Sequence, residues 1–328
     1  MNILAVEKEH QSAVEYYRAG PLAAMRRYFG FRVDFVPARQ IREANLSSYD
    51  LFFCHRPVTK AELNAILVAK EHGLKIVLDY DDLIWRIPVC NPAILSYTPD
   101  AQNTTQEAVG LADLITVSTP GLAEQIRLEF GQESTVIRNA WNERGRYAKE
   151  WNEPQPDKPI KVLWRGSNTH DGDLMTHKEA FKPNARIDFH FFGSLPWYLL
   201  QAYGGHLPHF GFTSPAPSFA EYMTTLRTLR PSFVVVPLED SEFNHCKSGI
   251  AAMEAIQCGA IPMVPGYMEE FDLFPALRYT HGKLGGVFEE ALELIDPTHL
   301  FNRCRDSLSD NTLYQACLKR KAAFEGLL

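Results

Sequence analysis

One stretch of this chain, from residue 233 to residue 266, allows few folds. It begins with a short apolar run, Phe233 to Val236, and ends with a second one, Ala260 to Val264. Between them lie a polar loop and a helical segment that starts at Lys247 and Ser248 and ends at Gly259. Two buried strands joined by a helix are usually parallel neighbours in one sheet. The stretch therefore predicts a βαβ unit in an open parallel sheet, where ligands bind at the carboxyl ends of the strands.

The start of this helix is a candidate anion site. Lys247 and Ser248 lie in its expected first turn, where unpaired backbone N–H groups and the helix dipole attract negative charge. Glu254 follows seven residues later, on the same face and about 10 Å along the axis. A nucleoside diphosphate at the helix start would therefore bring its ribose hydroxyls close to this carboxylate. The polar loop before the helix includes Asn244 and is expected to contact the same donor.

The alternative is a surface helix whose lysine and glutamate are simply solvated. Two features of the sequence argue against this alternative. Gly259 and its alanine neighbours allow a close backbone approach, as in turns that face a ligand. The apolar face of the helix is also complete without Glu254, because other residues supply it: Ile250, Met253 and Ile256.

The overall composition is that of a globular protein. A chain of 328 residues with 45% hydrophobic and 22% charged residues predicts two domains with sizeable cores. The net charge of −7 argues against a surface that binds polyanions along its whole extent, although a local basic groove stays open. The six cysteines show no CxxC pair and no metal spacing, so we expect reduced thiols and a cytoplasmic location. The sequence shows neither a transmembrane run nor a signal peptide.

Strand and helix signals alternate along the chain, which predicts parallel sheets covered on both faces. The segment Asn152 to Pro159 contains three prolines and several charges, a composition that is typical of a linker. We therefore predict a first domain over residues 1–151 and a second over residues 160–310. Residues 311–328 form a predicted amphipathic helix that returns toward the first domain.

Two segments are predicted to lack regular structure. The chain before Pro21 is expected to be a loop, because proline disrupts the interior of a helix. Leu195 to Pro217 is rich in proline, glycine and aromatic residues and is predicted to be irregular. A capping pattern from Ser218 to Glu221 then predicts the start of a new helix.

A second strand ends in residues that suit a phosphate group. Ile160 to Trp164 is followed by Arg165, Gly166 and Ser167. Glycine lets a phosphate approach the backbone, and arginine supplies a fork of hydrogen-bond donors. An arginine after a strand is more often a surface residue. Its shared position with Lys247, at strand carboxyl ends, nevertheless favours two cations that neutralise one diphosphate.

Three aspartates crowd the end of a strand in the first domain: Asp79, Asp81 and Asp82. Metal ligation by hard oxygen ligands is one interpretation. Binding of sugar hydroxyls or general-base work is another, and capping of the next segment is the structural alternative. We predict a catalytic role for Asp81 and an acceptor contact for Asp82.

Other polar residues follow strands in both domains. His55 ends one strand of the first domain, and Tyr17 and Arg18 come after its first strand. In a doubly wound sheet these positions converge on one crevice edge, so all three are candidate acceptor contacts. His170 follows the phosphate loop of the second domain and is a candidate donor contact. A single histidine is, however, more often a loop residue that is satisfied locally.

Together these stretches resemble retaining glycosyltransferases of the GT-B fold, specifically the large family-four-like group that uses nucleotide sugars. The resemblance covers nearly the whole chain and rests on YDLFFCHRP (49–57), IVLDYDDLIW (76–85), ADLITVSTPGLAEQI (112–126) with VIRNAW (136–141), VLWRGSNTH (162–170) and PLEDSEFNHCKSGIAAMEAIQCGAIPMV (237–264). It implies two Rossmann-like domains that face a central cleft, with the donor in the second domain and the acceptor in the first. It also implies that Glu254 binds the ribose, while Lys247 and Arg165 bind the diphosphate.

The resemblance further implies transfer of a hexose or pentose from a nucleotide sugar, with UDP as the expected nucleotide. It implies a retaining, metal-independent reaction without any cofactor besides the donor. The segment YYRAGP (16–21) resembles a variant seen in related and phage-encoded glycosyltransferases. Three positions depart from the common pattern. Cys246 replaces a second acidic residue, Glu7 to His10 replace a Gly-Gly loop, and Ala251 stands where relatives often carry a lysine.

Several alternatives stay open at this point. Cys246 motivates a catalytically inactive nucleotide-sugar binding protein, and a different GT-B enzyme, such as a nucleotide-sugar epimerase or phosphorylase, is a third reading. The acceptor is a sugar, a lipid-linked glycan, a protein or a modified nucleobase in DNA, and the location is the host cytoplasm if the chain is phage-encoded. The oligomeric state is open. The DNA alternative is favoured by arginines that could track phosphates: Arg18, Arg26, Arg27, Arg32, Arg39 and Arg42.

Overall fold

The computed structural model describes residues 1–7, 13, 15–202 and 209–328. Within these residues the chain forms two six-stranded parallel sheets, one in each half. Apolar runs such as Leu51–His55 and Phe233–Val235 are buried along their whole length. This is expected where helices cover both faces of a sheet and leave no solvated side. The predicted α/β fold with two Rossmann-like halves is confirmed.

The first sheet lies in the first half of the chain. Its strands are β1 (Asn2–Val6), β2 (Arg32–Val36), β3 (Leu51–His55), β4 (Lys75–Tyr80), β5 (Leu114–Val117) and β6 (Thr135–Val136). They are ordered β2-β1-β3-β4-β5-β6. Ile3 pairs with Val33 on one side and with Leu51 on the other, so the strand order reverses beside β1. The carboxyl ends of β1, β3 and β4 therefore border one crevice.

The second sheet is also parallel and six-stranded, but its strand order reverses at a different point. Its strands are β7 (Ile160–Gly166), β8 (Ile187–Gly193), β9 (Phe210–Thr213), β10 (Phe233–Val235), β11 (Ile261–Pro265) and β12 (Leu277–Tyr279). They are ordered β12-β11-β10-β7-β8-β9. Phe233 pairs with Val162 of β7 and with Ile261 of β11, so β10 is central. The ends of β7 and β10 consequently lie side by side.

Helices connect the strands of both sheets. Those of the first half are α1 (Gly20–Phe29), α2 (Lys60–Glu71), α3 (Pro99–Leu111) and α4 (Pro120–Phe130). Those that follow are α5 (Asp171–Thr176), α6 (Trp197–Ala202), α7 (Phe219–Leu229), α8 (Glu242–His245), α9 (Ile250–Gln257), α10 (Leu284–Leu292), α11 (Pro297–Ser307) and α12 (Leu313–Glu325). Local sequence sets their starts. Thr59 and Glu62, for example, form a reciprocal capping box at α2.

The predicted loop before Pro21 is wrong in part. Glu15–Ala19 forms a π-helical turn that continues directly into α1. Pro21 lies in the first turn of α1, where its missing N–H group costs little. Residues 11, 12 and 14 of the same predicted loop lie outside the described residues. Residues 8–10 of the segment that replaces the Gly-Gly loop lie outside them as well.

The prediction of an irregular segment from Leu195 to Pro217 is also wrong in part. This segment contains α6 and the edge strand β9, while residues 203–208 lie outside the described part of the chain. β9 pairs with β8 through its backbone, and the Phe210 ring stacks on Phe191 with centroids 5.2 Å apart. Pairing with a distant strand thus overrides the local turn signals.

The α9 helix begins later than the sequence predicts. It starts at Ile250, and the short helix α8 precedes it inside the predicted polar loop. Lys247 and Ser248 therefore lie in the link between two helices rather than in the first turn of α9. They still lie directly before its N-terminal end, so the electrostatic argument for an anion survives the shift.

The α12 helix packs on the first half of the chain. Cys317 and Phe324 belong to the same buried cluster as Ile3 and Leu22. Arg320 is fully buried there, and its Nη1 donates to the backbone oxygen of Arg18 at 3.1 Å. The first sheet is thus covered by a helix that follows the second sheet in the chain.

Candidate active site

A cavity of about 600 Å³ lies between the carboxyl edges of the two sheets. The first half of the chain contributes Tyr17, Arg56, Asp81 and Asp82 to its lining. The second half contributes the residues predicted to bind the donor and the diphosphate: Arg165, Gly166, Ser167, His170, Lys247, Ser248 and Glu254. A cavity of this volume holds a nucleotide-sized ligand.

The Glu254 carboxylate is almost completely buried, with 3% of the residue exposed. Its Oε1 accepts a hydrogen bond from the Tyr17 hydroxyl at 2.9 Å, and its Oε2 accepts one from the Tyr222 hydroxyl at 2.7 Å. Arg165 Nη2 lies 2.8 Å from the same Oε2. Glu254 therefore belongs to the buried side of α9, which the sequence assigned to apolar residues alone. It also joins the two halves of the chain, because Tyr17 precedes α1.

Both tyrosines are held in the form that donates a hydrogen bond. Burial raises the pKa of Tyr17 well above its ordinary value, and the charge of Glu254 raises it further. Burial raises the pKa of Tyr222 in the same way. For Arg165, burial acts to lower the pKa, but the charge of Glu254, its hydrogen bond and the nearby Tyr222 and Tyr17 together outweigh burial, so the pKa rises. The two hydroxyls stay neutral, and the guanidinium keeps its charge.

The link before α9 carries the predicted diphosphate contacts. Lys247 Nζ lies 3.5 Å from Asp82 Oδ1, which belongs to the first half of the chain. Ser248 Oγ accepts a hydrogen bond from Asn139 Nδ2 at 2.9 Å. An anion that enters the cavity therefore competes with the Asp82 carboxylate for Lys247.

The loop after β7 forms another wall of the cavity. A Cβ atom at Gly166 would lie 2.7 Å from the Trp164 ring, so only glycine fits this backbone. Ser167 Oγ lies 2.7 Å from Thr169 Oγ1 and lines the cavity beside Arg165. The loop brings a guanidinium, an accessible backbone and a hydroxyl to one side of the same space.

His170 and Asn244 are linked through a residue that the sequence analysis did not single out. Asp173 is buried, and its Oδ2 lies 2.9 Å from His170 Nδ1. Asn244 Nδ2 donates to the other oxygen of Asp173 at 2.7 Å. Asn244 itself is buried and does not line the cavity, because Asp173 and a backbone oxygen engage its amide. In this structure Asn244 lies behind His170 and is linked to it through Asp173, so a direct donor contact of Asn244 stays a prediction.

Arg18 and His55 do not reach the cavity either. The Arg18 guanidinium is 1% exposed and forms a bidentate ion pair with Asp79, with Nε 2.8 Å from Oδ2. His55 Nδ1 lies 2.9 Å from the same oxygen. Burial acts to raise the pKa of Asp79, but the charges of Arg18 and His55 lower it well below its ordinary value. Arg18 and His55 thus surround this carboxylate and do not line the cavity, and their acceptor contacts stay predictions.

Asp81 and Asp82 are held by a residue outside the predicted site. Arg56 contacts Asp81 through Nε, and its Nη2 lies 2.7 Å from Asp82 Oδ2. Burial acts to raise the pKa of Asp81, but Arg56 and His55 outweigh it and the pKa falls. Asp81 is therefore a weak proton acceptor. Asp82 is the more exposed of the two and faces Lys247.

The sequence analysis assigned no role to four residues of this site: Tyr222, Arg56, Asp173 and Asn139. A signal was present for Arg56 and Asn139, since each follows a strand that ends at the crevice. Tyr222 and Asp173 lie inside helices, and no local pattern sets them apart.

Within the residues that the structure describes, no group of three or more histidine, cysteine, aspartate or glutamate side chains is placed to hold a metal ion. In the same described ranges, no helix combines the length and the apolar character needed to cross a membrane.

Several solved structures share this architecture. A lipopolysaccharide outer core galactosyltransferase, WaaB, in its apo form is 12% identical and covers 100% of both chains with a TM-score of 0.64. HepE from Anabaena, solved with UDP and glucose, is 12% identical over 98% of this chain and 99% of its own, with a TM-score of 0.66. The DNA-modifying enzyme β-glucosyltransferase, studied with and without uridine diphosphoglucose, is 12% identical over 100% and 99%, with a TM-score of 0.60. At this level of identity the likeness confirms the GT-B fold.

No protein-family model matches the chain, and no curated protein matches it by sequence.

Proposed function

We propose that this protein transfers a sugar from a UDP-sugar to an acceptor. One observation carries the proposal: Lys247, Ser248, Arg165 and Glu254 line a single cavity at the carboxyl edges of two parallel sheets. The cations Lys247 and Arg165 suit a diphosphate, and the Glu254 carboxylate, which Arg165 Nη2 contacts at 2.8 Å, suits ribose hydroxyls. Each of the three similar solved structures is a sugar transferase or was solved with UDP.

In this proposal the second half of the chain holds the donor. Lys247 and Arg165 stabilise the negative charge that develops on the leaving diphosphate, which is electrostatic catalysis without a cofactor. The acceptor enters from the first half, beside Asp82. We keep a retaining outcome as part of the proposal, because the low pKa of Asp81 makes it a weak general base.

Ribose binding requires a change at Glu254. A carboxylate offers about four lone-pair directions, and Tyr17, Tyr222 and Arg165 occupy three of them. A vicinal diol needs two. One of the three partners must therefore give way to the ribose, and loss of the Tyr17 hydroxyl would also break a contact between the two halves of the chain.

Glu254→Gln is expected to weaken UDP binding about ten- to a hundredfold. A hydrogen bond to a charged group contributes about 1.5–3 kcal/mol, and the amide keeps the shape of the side chain while it removes the charge. Isothermal titration with UDP measures the change, and a thermal unfolding midpoint checks that the variant folds. Glu290→Gln, on the exposed face of α10, is the matched control. Unchanged affinity in Glu254→Gln would remove this residue from the donor site.

Chelation is expected to leave activity unchanged. The carboxylates at the cavity are already neutralised, since Arg56 engages Asp81 and Asp82, and Lys247 also faces Asp82. They therefore have little remaining negative charge to attract a divalent cation. Transfer assays with and without EDTA check this expectation. Activity that is lost with EDTA and restored by Mn²⁺ or Mg²⁺ would contradict a metal-independent reaction.

DNA is a second candidate acceptor. Arg26 and Arg27 are exposed on α1, and the guanidinium groups of Arg27 and Arg144 lie 4.9 and 5.5 Å from the centroid of the Tyr28 ring. Exposed cations with aromatic rings among them are typical of surfaces that bind nucleic acid. Transfer of label from UDP-sugar to duplex DNA, against glycan and protein acceptors, tests it. DNA binding that does not weaken with added salt would argue against phosphate contacts.

The inactive and epimerase alternatives are separated by their products. Cys246, which motivated the inactive alternative, is buried and lies against the first half, where Thr119 Oγ1 donates to its backbone oxygen at 2.9 Å. It does not line the cavity. Incubation with UDP-sugar and analysis of the sugar products distinguishes transfer, epimerisation and the absence of turnover.

A further inference from the structure

The buried carboxylate of Asp173 has an unequal set of partners. Its Oδ1 accepts two N–H groups, the backbone N–H of Glu239 at 3.1 Å and Asn244 Nδ2 at 2.7 Å. Its Oδ2 faces His170 Nδ1 at 2.9 Å. Because both of these groups donate to Oδ1, they fix the orientation of the Asp173 carboxylate. This leaves Oδ2 for the His170 ring.

This arrangement decides which nitrogen of His170 carries the proton. A carboxylate accepts hydrogen bonds, so Nδ1 must be the N–H that donates to Oδ2. In the neutral ring Nε2 then keeps its lone pair. Burial lowers the pKa of His170, and the positive charges of Lys247 and Arg165 lower it further, against the opposing effect of Asp173. The neutral ring with an accepting Nε2 is therefore the form present at neutral pH.

A lone pair at this place discriminates between ligand groups. His170 lines the cavity beside Arg165, Gly166 and Lys247. A phosphate oxygen also has only lone pairs to offer, so it cannot bond to Nε2 in the neutral ring. A hydroxyl can donate to it. The sugar of a nucleotide sugar is bonded directly to the diphosphate, so its hydroxyls lie next to the groups that bind the phosphates.

We propose that His170 Nε2 accepts a hydrogen bond from a hydroxyl of the transferred sugar, and that Asp173 is the positioning residue that keeps Nε2 an acceptor. This inference rests on the proposed function and deepens it, because it assigns His170 to the sugar rather than to the diphosphate. The ring then contributes to the choice of donor sugar and not to the retention of UDP.

The first test removes the acceptor. His170→Phe keeps a flat ring without polar atoms, and His299→Phe, on the exposed side of α11, is the matched control. Titrations use UDP and a panel of UDP-glucose, UDP-galactose and UDP-N-acetylglucosamine. We expect His170→Phe to weaken the best-bound UDP-sugar about three- to tenfold, the range for loss of one neutral hydrogen bond, and to leave UDP affinity unchanged.

The second test changes which nitrogen of the His170 ring carries the proton. In Asp173→Asn the Oδ1 position still receives two N–H groups, so the amide Nδ2 takes the place of Oδ2 and donates to His170 Nδ1. The proton then moves to Nε2, which becomes a donor. We expect the UDP-sugar to bind more weakly and UDP to bind as well as before or better. A purely structural role of Asp173 would weaken both ligands together.

The pH dependence supplies a third readout. Protonation of Nε2 removes the acceptor, so the affinity for UDP-sugar relative to UDP should fall as the pH falls through the His170 pKa. His170→Phe should show no such change. Equal weakening of both ligands in His170→Phe would overturn the proposal in favour of a phosphate contact, and unchanged affinity for both would place the ring outside the site. Failure of the wild type to bind any of these ligands would overturn the proposed function itself.

Discussion

Asp79→Asn is expected to destabilise the fold by about 3–5 kcal/mol, the cost of leaving a buried charge without its partner. The Arg18 guanidinium has almost no exposed surface, and Asp79 is its only carboxylate partner among the described residues. The buried Arg320 lies 3.9 Å from the same carboxylate, so the variant leaves two cations close together. Equilibrium urea denaturation measures the loss. Asp34→Asn, at the exposed pair with Arg32, is the matched control and should cost at most about 1 kcal/mol.

The pH dependence of this variant follows from the same geometry. Because the folded-state pKa of Asp79 is depressed, its contribution is fully present above the unfolded pKa and is lost as the pH falls below it, from about 4. The Asp79→Asn variant has no carboxylate to protonate at this position. It therefore lacks this contribution to the loss of stability at acid pH. A double variant, Arg18→Met with Asp79→Leu, should recover part of the stability. A loss no larger than that of the control would contradict the structural role assigned to the pair.

Lys247→Met is expected to lower kcat about 10²- to 10³-fold, the usual effect of removing one group that stabilises transition-state charge. The interaction of Lys247 with the diphosphate strengthens as the leaving group gains charge, so turnover falls more than donor affinity. Methionine keeps the apolar stem of the side chain and removes the ammonium group, which lies 4.5 Å from the centroid of the Phe243 ring. Steady-state kinetics with titration of UDP separates the two effects.

Lys283→Met is the matched control for this variant, because Lys283 is exposed and does not line the cavity. Its kcat should equal that of the wild type. A Lys247→Met variant with normal kcat and only a raised KM would mean that Lys247 binds the donor equally in the ground and transition states. It would then have no part in catalysis.

Most of the fold could be predicted from the sequence, because buried parallel strands are continuous runs of apolar residues. Stretches such as Leu51–His55 show no polar alternation, and this follows from the helices on both faces of the sheet. The errors arose where distant partners decide local structure. β9 forms because β8 offers it a backbone ladder, and the turn from Glu15 to Ala19 is helical although a proline follows it closely. β8 lies far from β9 in sequence, and the residues that the turn contacts, Glu254 and Asp79, lie far from the turn. A short window of sequence therefore cannot show either set of contacts.

The position of the site could also be predicted from the sequence, but the direction in which each side chain points could not. Residues at strand carboxyl ends do surround the cavity, as Arg165 and Asp82 show. Arg18 and Asn244 carry equally suitable groups, yet Asp79 and Asp173 hold them in the interior. Which polar group turns inward depends on tertiary pairing. That pairing joins residues far apart in sequence, such as Tyr17 with Glu254.

The helix that covers the first sheet has a consequence for biosynthesis. α12 leaves the ribosome only after the whole second sheet has been made, yet Cys317, Arg320 and Phe324 fill the surface beside Ile3. Domains generally fold as units during synthesis, in order from the amino terminus. In this chain the first sheet keeps an uncovered apolar face until the second sheet and α12 have been synthesised. Nascent chains whose α12 has not yet left the ribosome should therefore engage chaperones that bind apolar surface, and emergence of α12 should end this binding.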